Sequence, residues 1–157
     1  MSDVSLLEAP APKAANWLGY SGLIPFVALT IALLFGQGDL LQTARLALLG
    51  YGVAILSFMG GVHWGRAMAQ PANGKSASLA VDYAISVVPA LAAWSVFALP
   101  PSVQFIWLAG CFGVLGMYDV LSARSLDFPA WYPGLRLRLT LVVVTCLVLA
   151  AGAGLVH

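Results

Sequence analysis

The chain has 157 residues, is 61% hydrophobic and only 8% charged, and has a mean hydropathy of +0.94. A water-soluble domain carries roughly 25% charged residues, and one core of this size cannot hide so much apolar surface, so lipid is the expected solvent. A formal net charge of +1 leaves no electrostatic footprint for nucleic acid, which is excluded as a partner.

The first sixteen residues, MSDVSLLEAPAPKAAN, mix charge and apolar character. They lack a basic start leading into a short apolar core, so they read as a flexible N-terminal tail over 1–16 and not as a cleaved signal. Pro10 and Pro12 oppose a long helix there. Residues 17–157 read as a single five-helix transmembrane domain.

Crossing the hydrocarbon as a helix takes about 20 apolar residues. Five segments meet or approach that length: Trp17–Phe35, Leu41–Trp64, Leu79–Leu99, Val103–Val120 and Leu137–Val156. They are separated by GQGD (36–39), QPANGKSAS (70–78), LPPS (99–102) and SARSLDFPAWYPG (122–134), all rich in residues that break helices. A β-barrel needs short alternating segments, and these runs are too long and too uniformly apolar for it. The expected class is an all-α integral membrane protein, a five-transmembrane-helix bundle. Pro25 and Pro89 are expected to kink the first and third spans, and Asp119 shortens the fourth at its inner end.

Lys13, Arg66, Lys75, Arg124, Arg136 and Arg138 fall on the side of the N-terminus, and Arg45 alone falls on the other. This bias predicts a cytoplasmic N-terminus, with His157 facing the opposite compartment.

The second span carries small residues at Gly50, Ala54, Ser57, Gly61 and Gly65, spaced four, three, four and four, on one helix face. Apolar side chains gain little by leaving lipid for one another, so membrane helices associate by close backbone approach, and small-xxx-small stripes permit it. The stripe predicts a helix-packing face and makes the second span the centre of the bundle. The alternative is a face left open for a flat ligand or a partner helix. Gly110, Gly113 and Gly116 suggest a second close-packing face on the fourth span. Cys111 and Cys146 sit inside apolar runs, without a CxxC neighbour, and read as small buried fillers.

Ionisable groups scattered along the sequence collect at one depth, the cytoplasmic side. His63, Trp64 and Arg66 end the second span, Asp82 and Tyr83 start the third, and Tyr118 and Asp119 end the fourth. Arg136 and Arg138 start the fifth, just after Trp131 and Tyr132. Arginines and aromatics are at home at an interface. Short-stemmed carboxylates are not, so Asp82 and Asp119 are expected to pair inward, with Arg66 and Arg136 as the favoured partners.

There is no HExxH, paired cysteine, histidine cluster, phosphate loop or GxSxG, so neither a metal, another cofactor nor a nucleophile is indicated. The strings YGVAILSFMGGVHWG (51–65), SVVPALAAW (86–94) and PAWYPGLRLRLT (129–140) resemble the bacterial domain-of-unknown-function membrane family whose eukaryotic relative is transmembrane protein sixty-nine. The resemblance runs from about Leu18 to about Leu149 and carries over Ser57, Phe58, Gly60, Gly61, His63, Trp64, Gly65, Trp131, Tyr132, Arg136 and Arg138. It implies a small multi-pass protein of the bacterial inner membrane and no established reaction.

The leading expectation is therefore a non-catalytic accessory or small-molecule-binding protein. Its candidate ligand-binding residues are His63, Trp64, Arg66, Asp82, Asp119, Trp131, Tyr132, Arg136 and Arg138. In this reading Arg66, Arg136 and Arg138 contact an anionic lipid headgroup or other small-molecule ligand, and Trp64 closes one wall. A membrane-protein partner or a homo-oligomer also stays open. The alternatives are a transporter or channel acting as an oligomer, and a membrane-embedded enzyme on lipid or quinone, which needs His63, Asp82 and Asp119 to converge on one cavity.

Overall fold

A computed structural model describes residues 11–69, 76–123 and 128–153, with the side chains of 76–80 and 82 left out. The elements are α1 (Lys13–Ser21), α2 (Ile24–Phe35), α3 (Asp39–Ala69), α4 (Ser76–Trp94), a single 3-10 turn (Ser95–Ala98), α5 (Gln104–Ser122) and α6 (Tyr132–Ala153). The architecture is an all-α membrane bundle. Four segments are long and apolar enough to cross a bilayer: Lys13–Phe35, Asp39–Ala69, Gln104–Ser122 and Tyr132–Ala153. A shorter apolar stretch, Tyr83–Ala98, accompanies them.

The first span is broken rather than kinked. α1 ends at Ser21, and Pro25 sits in the first turn of α2, where its missing N–H costs nothing. The Tyr51 hydroxyl donates to the Gly22 carbonyl at this break, at 2.9 Å. α1 begins at Lys13, directly after Pro12, so residues 13–16 of the expected tail are helical. α6 begins five residues before the expected Leu137, because Pro133 is tolerated in a first turn. Arg136 thereby joins Arg138 inside the helix rather than preceding it. α3 runs 31 residues, about 46 Å at 1.5 Å per residue. It therefore outreaches a hydrocarbon layer of about 30 Å.

α3 touches α2, α4 and α5, and α6 closes the other side against α1, α2 and α5. The position of α3 is central, but the face that holds it there is not the predicted one. Gly50, Ala54, Gly61 and Gly65 point outward, and Ser57 is half-buried with its hydroxyl donating to the Val53 carbonyl at 2.8 Å. A Cβ placed on Gly50, Gly61 or Gly65 would meet no atom within 4 Å. The buried face is Leu49, Gly52, Leu56, Gly60, His63 and Ala67. Gly60 lies against the α4 backbone at Ser86 and beside Pro89, and Gly52 lies under Leu108 of α5. Two small-residue series share this helix at nearly the same period, and the larger neighbours decide between them. Leu48, Leu49 and Leu56, each at most 1% exposed, belong to the buried face.

On α5 only Gly116 makes a close approach, to Thr140 of α6 and not to α3. Gly110 and Gly113 have nothing within reach of a Cβ. The core joins Phe26, Leu48, Leu56, Phe105, Leu108, Phe112 and Leu147. Phe26 meets Tyr51 and Phe112 edge-on, with ring centroids 5.0 and 5.8 Å apart. Both cysteines are free thiols, Cys146 buried and Cys111 half-buried.

Candidate functional site

Asp119, on the last turn of α5, is 1% exposed and is the hub of a buried polar cluster. Its Oδ1 lies 2.7 Å from Nε2 of His63 on α3. Its Oδ2 accepts from Nε of Arg136 on α6 at 2.6 Å and from the Tyr132 hydroxyl at 3.3 Å. Three helices thus meet on one carboxylate. A carboxylate out of water is stable only when its lone pairs are used and its charge is matched, and among the described residues the Arg136 guanidinium matches it. His63 and Arg136 are 0% and 5% exposed. His63 packs beside Tyr118 and edge-on to Phe128, and Phe128 stacks on Tyr132 with centroids 4.5 Å apart. The Arg66 guanidinium lies over the Phe128 ring, 6.0 Å from its centroid.

Side chains in and beside the cluster have hydrogen-bonding capacity left over. Arg136 Nη1 donates to the Met59 thioether, a weak acceptor. Arg136 Nη2 and Thr140 Oγ1 are buried with no hydrogen-bond partner among the described residues, as is His63 Nδ1.

Arg136 and Thr140 also line an apolar cleft. It has a volume of about 280 Å³ and lies between the first span, α3 and α6, with Phe112 of α5 also in its lining. Its walls include Leu18, Gly22, Met59, Val62, Leu135 and Leu139, together with Trp131 and Tyr132. The broken first span helps to form it. α1 buries none of its own residues and approaches α6 where Gly19 faces Leu139.

The expected site is therefore divided. His63, Asp119, Tyr132 and Arg136 come together, and Trp131 lies beside them on the cleft. Trp64 is 46% exposed and packs edge-on against Tyr83 on the opposite side of α3, so it closes no wall of this cleft. Arg138 is exposed, since two residues along a helix turn a side chain to roughly the opposite face. Arg66, Arg136 and Arg138 consequently form no shared anion cradle. The Asp82 side chain lies outside the described residues, as do Lys75 and Arg124. His63 and Asp119 face each other behind the cleft, and neither lines it. An acid–base pair must reach its substrate, so this arrangement favours a structural cluster that presents Arg136.

The sequence reading passed over Thr140 and Met59, which look like ordinary filling in an apolar run. It also passed over a second polar clamp at the far end of the bundle. There Arg45 Nη2 donates to Gln104 Oε1 at 2.6 Å and to the Pro101 carbonyl at 3.0 Å. The Gln104 amide donates in turn to the Val96 and Leu99 carbonyls. This clamp ties the α4–α5 turn to the start of α3.

Comparison with known proteins places these features in a family without an assigned reaction. Residues 11–152 match the family described as "Protein of unknown function (DUF3429)". Transmembrane protein 69 of Xenopus tropicalis is 36% identical over 148 residues, covering 93% of this chain and 56% of that protein. Transmembrane protein 69 of Mus musculus is 24% identical over 133 residues, covering 84% of this chain and 53% of that protein. The chain thus spans about half the length of these curated relatives. No solved structure matches. A match over nearly the whole chain, together with a helical bundle of membrane-spanning length, shows that this membrane protein belongs to the DUF3429 family.

Proposed function

We propose that this is a non-catalytic protein of the bacterial cytoplasmic membrane, with its N-terminus inside, that holds one lipid or other apolar small molecule in the cleft between its first span, α3 and α6. The observation that carries this reading is the cleft itself: about 280 Å³, apolar on nearly all sides, with the buried Arg136 and Thr140 on its wall. Small-molecule sites have this character, a mostly apolar concavity with a few placed polar groups. The placement in the membrane rests on six of the seven basic residues lying on the N-terminal side.

Native mass spectrometry of the full chain from a gentle detergent tests the reading. A bound mass of one lipid or small apolar molecule is expected on the wild type. It should be lost in Leu139→Trp, whose added bulk fills the cleft. A wild type that carries no adduct, or a variant that keeps it, overturns the proposal.

A further inference from the structure

We infer that the cleft recognises an uncharged hydrogen-bond acceptor, a carbonyl oxygen on an otherwise apolar molecule, through the spare donors of Arg136 and Thr140. This rests on the cleft reading above and names the class of ligand.

Charge decides the first half. Among the described residues Arg136 is the sole charged one lining the cleft, and Asp119 matches that charge from behind at 2.6 Å. An anionic headgroup would add a second negative charge to an apolar cleft already in balance, and an uncompensated charge there is costly. An uncharged acceptor brings no such charge.

Donor supply decides the second half. Arg136 and Thr140 are 5% and 8% exposed. Arg136 Nη2 and Thr140 Oγ1 lack partners among the described residues, and Arg136 Nη1 meets only the Met59 sulfur. A buried donor left unmatched is unfavourable, and a carbonyl accepts better than a thioether. Two residues of the cleft wall therefore carry donors that the described residues leave unused. Met59 is also a cleft wall, and its unbranched side chain can swing aside without disturbing the helix. A ligand carbonyl arriving along the wall would take over the hydrogen bond that the sulfur now accepts. Two sources share this chemistry, the ester carbonyl of a lipid and the ring carbonyl of a quinone.

The test uses the full chain, delipidated in detergent, with four probes read by tryptophan fluorescence and native mass spectrometry. They are methyl palmitate, a decyl-substituted benzoquinone, hexadecanesulfonate and hexadecane. One or both uncharged acceptors should bind about ten-fold more tightly than hexadecane, the margin expected of a hydrogen bond to a charged donor, and more tightly than the sulfonate. Which of the two wins assigns the source. Thr140→Ala should shrink that margin several-fold without changing hexadecane binding, and Thr140→Ser should restore it. Met59→Leu should widen the margin by removing the competing sulfur, which gives a second readout if the Thr140 variants fold poorly. Sulfonate binding as tightly as the ester and the quinone, or hexadecane binding equally well, overturns this inference and leaves the cleft reading standing. Failure of all four probes overturns both.

Discussion

A Cβ built on Gly60 would stand 2.5 Å from the Ser86 carbonyl oxygen, a backbone atom of α4 that cannot swing away. Its neighbour Gly61 faces outward and would meet nothing within 4 Å. The two adjacent glycines of the SFMGGVHWG string therefore have different roles, and only Gly60 sets the distance between α3 and α4. Gly60→Ala should destabilise the fold by about 1–3 kcal/mol, as overpacking does. Gly61→Ala should stay within roughly 0.5 kcal/mol of wild type. Thermal unfolding of the two variants in the same micelle checks this, and equal losses would refute the assignment.

A second pair tests the α5–α6 contact in the same way. A Cβ on Gly116 would meet the Oγ1, Cγ2 and Cβ of Thr140 at 2.5, 2.6 and 3.0 Å, whereas one on Gly113 would meet nothing. Gly116→Ala should lower stability by about 1–3 kcal/mol, and Gly113→Ala should be near neutral. Because the obstruction is mostly two side-chain atoms, Thr140→Ala in the Gly116→Ala background should recover part of the loss. The coupling between the two changes measures the contact. Strictly additive effects would show that the two residues do not touch.

Tyr51 holds the break in the first span by donating to the Gly22 carbonyl at 2.9 Å. Water is scarce at this depth, so Tyr51→Phe leaves that carbonyl without its donor. The expected cost is about 0.5–1.5 kcal/mol. The loss should fall on the junction of α1 and α2, so hydrogen exchange in α1 should quicken while the core of α3 stays protected. Unchanged exchange in α1 would mean that the tyrosine has no part in fixing the break.

The membrane class and the apolar spans are legible in the sequence because hydropathy over about 20 residues reports directly on the solvent. The gathering of ionisable groups is legible for a related reason. Carboxylates inside a span need partners, and Asp119 finds Arg136 and His63. Helix rotation is another matter. In lipid both faces of a helix tolerate apolar residues, so the pattern does not say which stripe of α3 turns inward. Gly50 and Gly61 look as suitable as Gly52 and Gly60 until Leu108 and Ser86 are in place. The cleft was hidden for the same reason. Its walls are ordinary leucines, and its polar lining is one arginine of an LRLRLT run and a threonine four residues later. Only the three-dimensional arrangement shows that Arg136 turns inward and Arg138 outward.

The Asp119–Arg136 pair should behave as a matched unit. Asp119→Leu strands a guanidinium in the bundle, and Arg136→Met strands a carboxylate with only His63 and Tyr132 to hold it. Each single change should cost about 3–5 kcal/mol, the usual penalty for a buried charge deprived of its partner. The double variant removes both charges together, so it should cost clearly less than the sum and could approach wild type, as buried pairs replaced by apolar residues often do. His63→Phe leaves the Arg136 bond to Asp119 intact and should cost less than Asp119→Leu. A denaturation series on the four variants supplies the cycle. Coupling near zero would place the two charges in contact with water or lipid headgroups instead of with each other. Arg136 would then be free to meet an anionic ligand, and the preference of the cleft for uncharged acceptors would lose its basis.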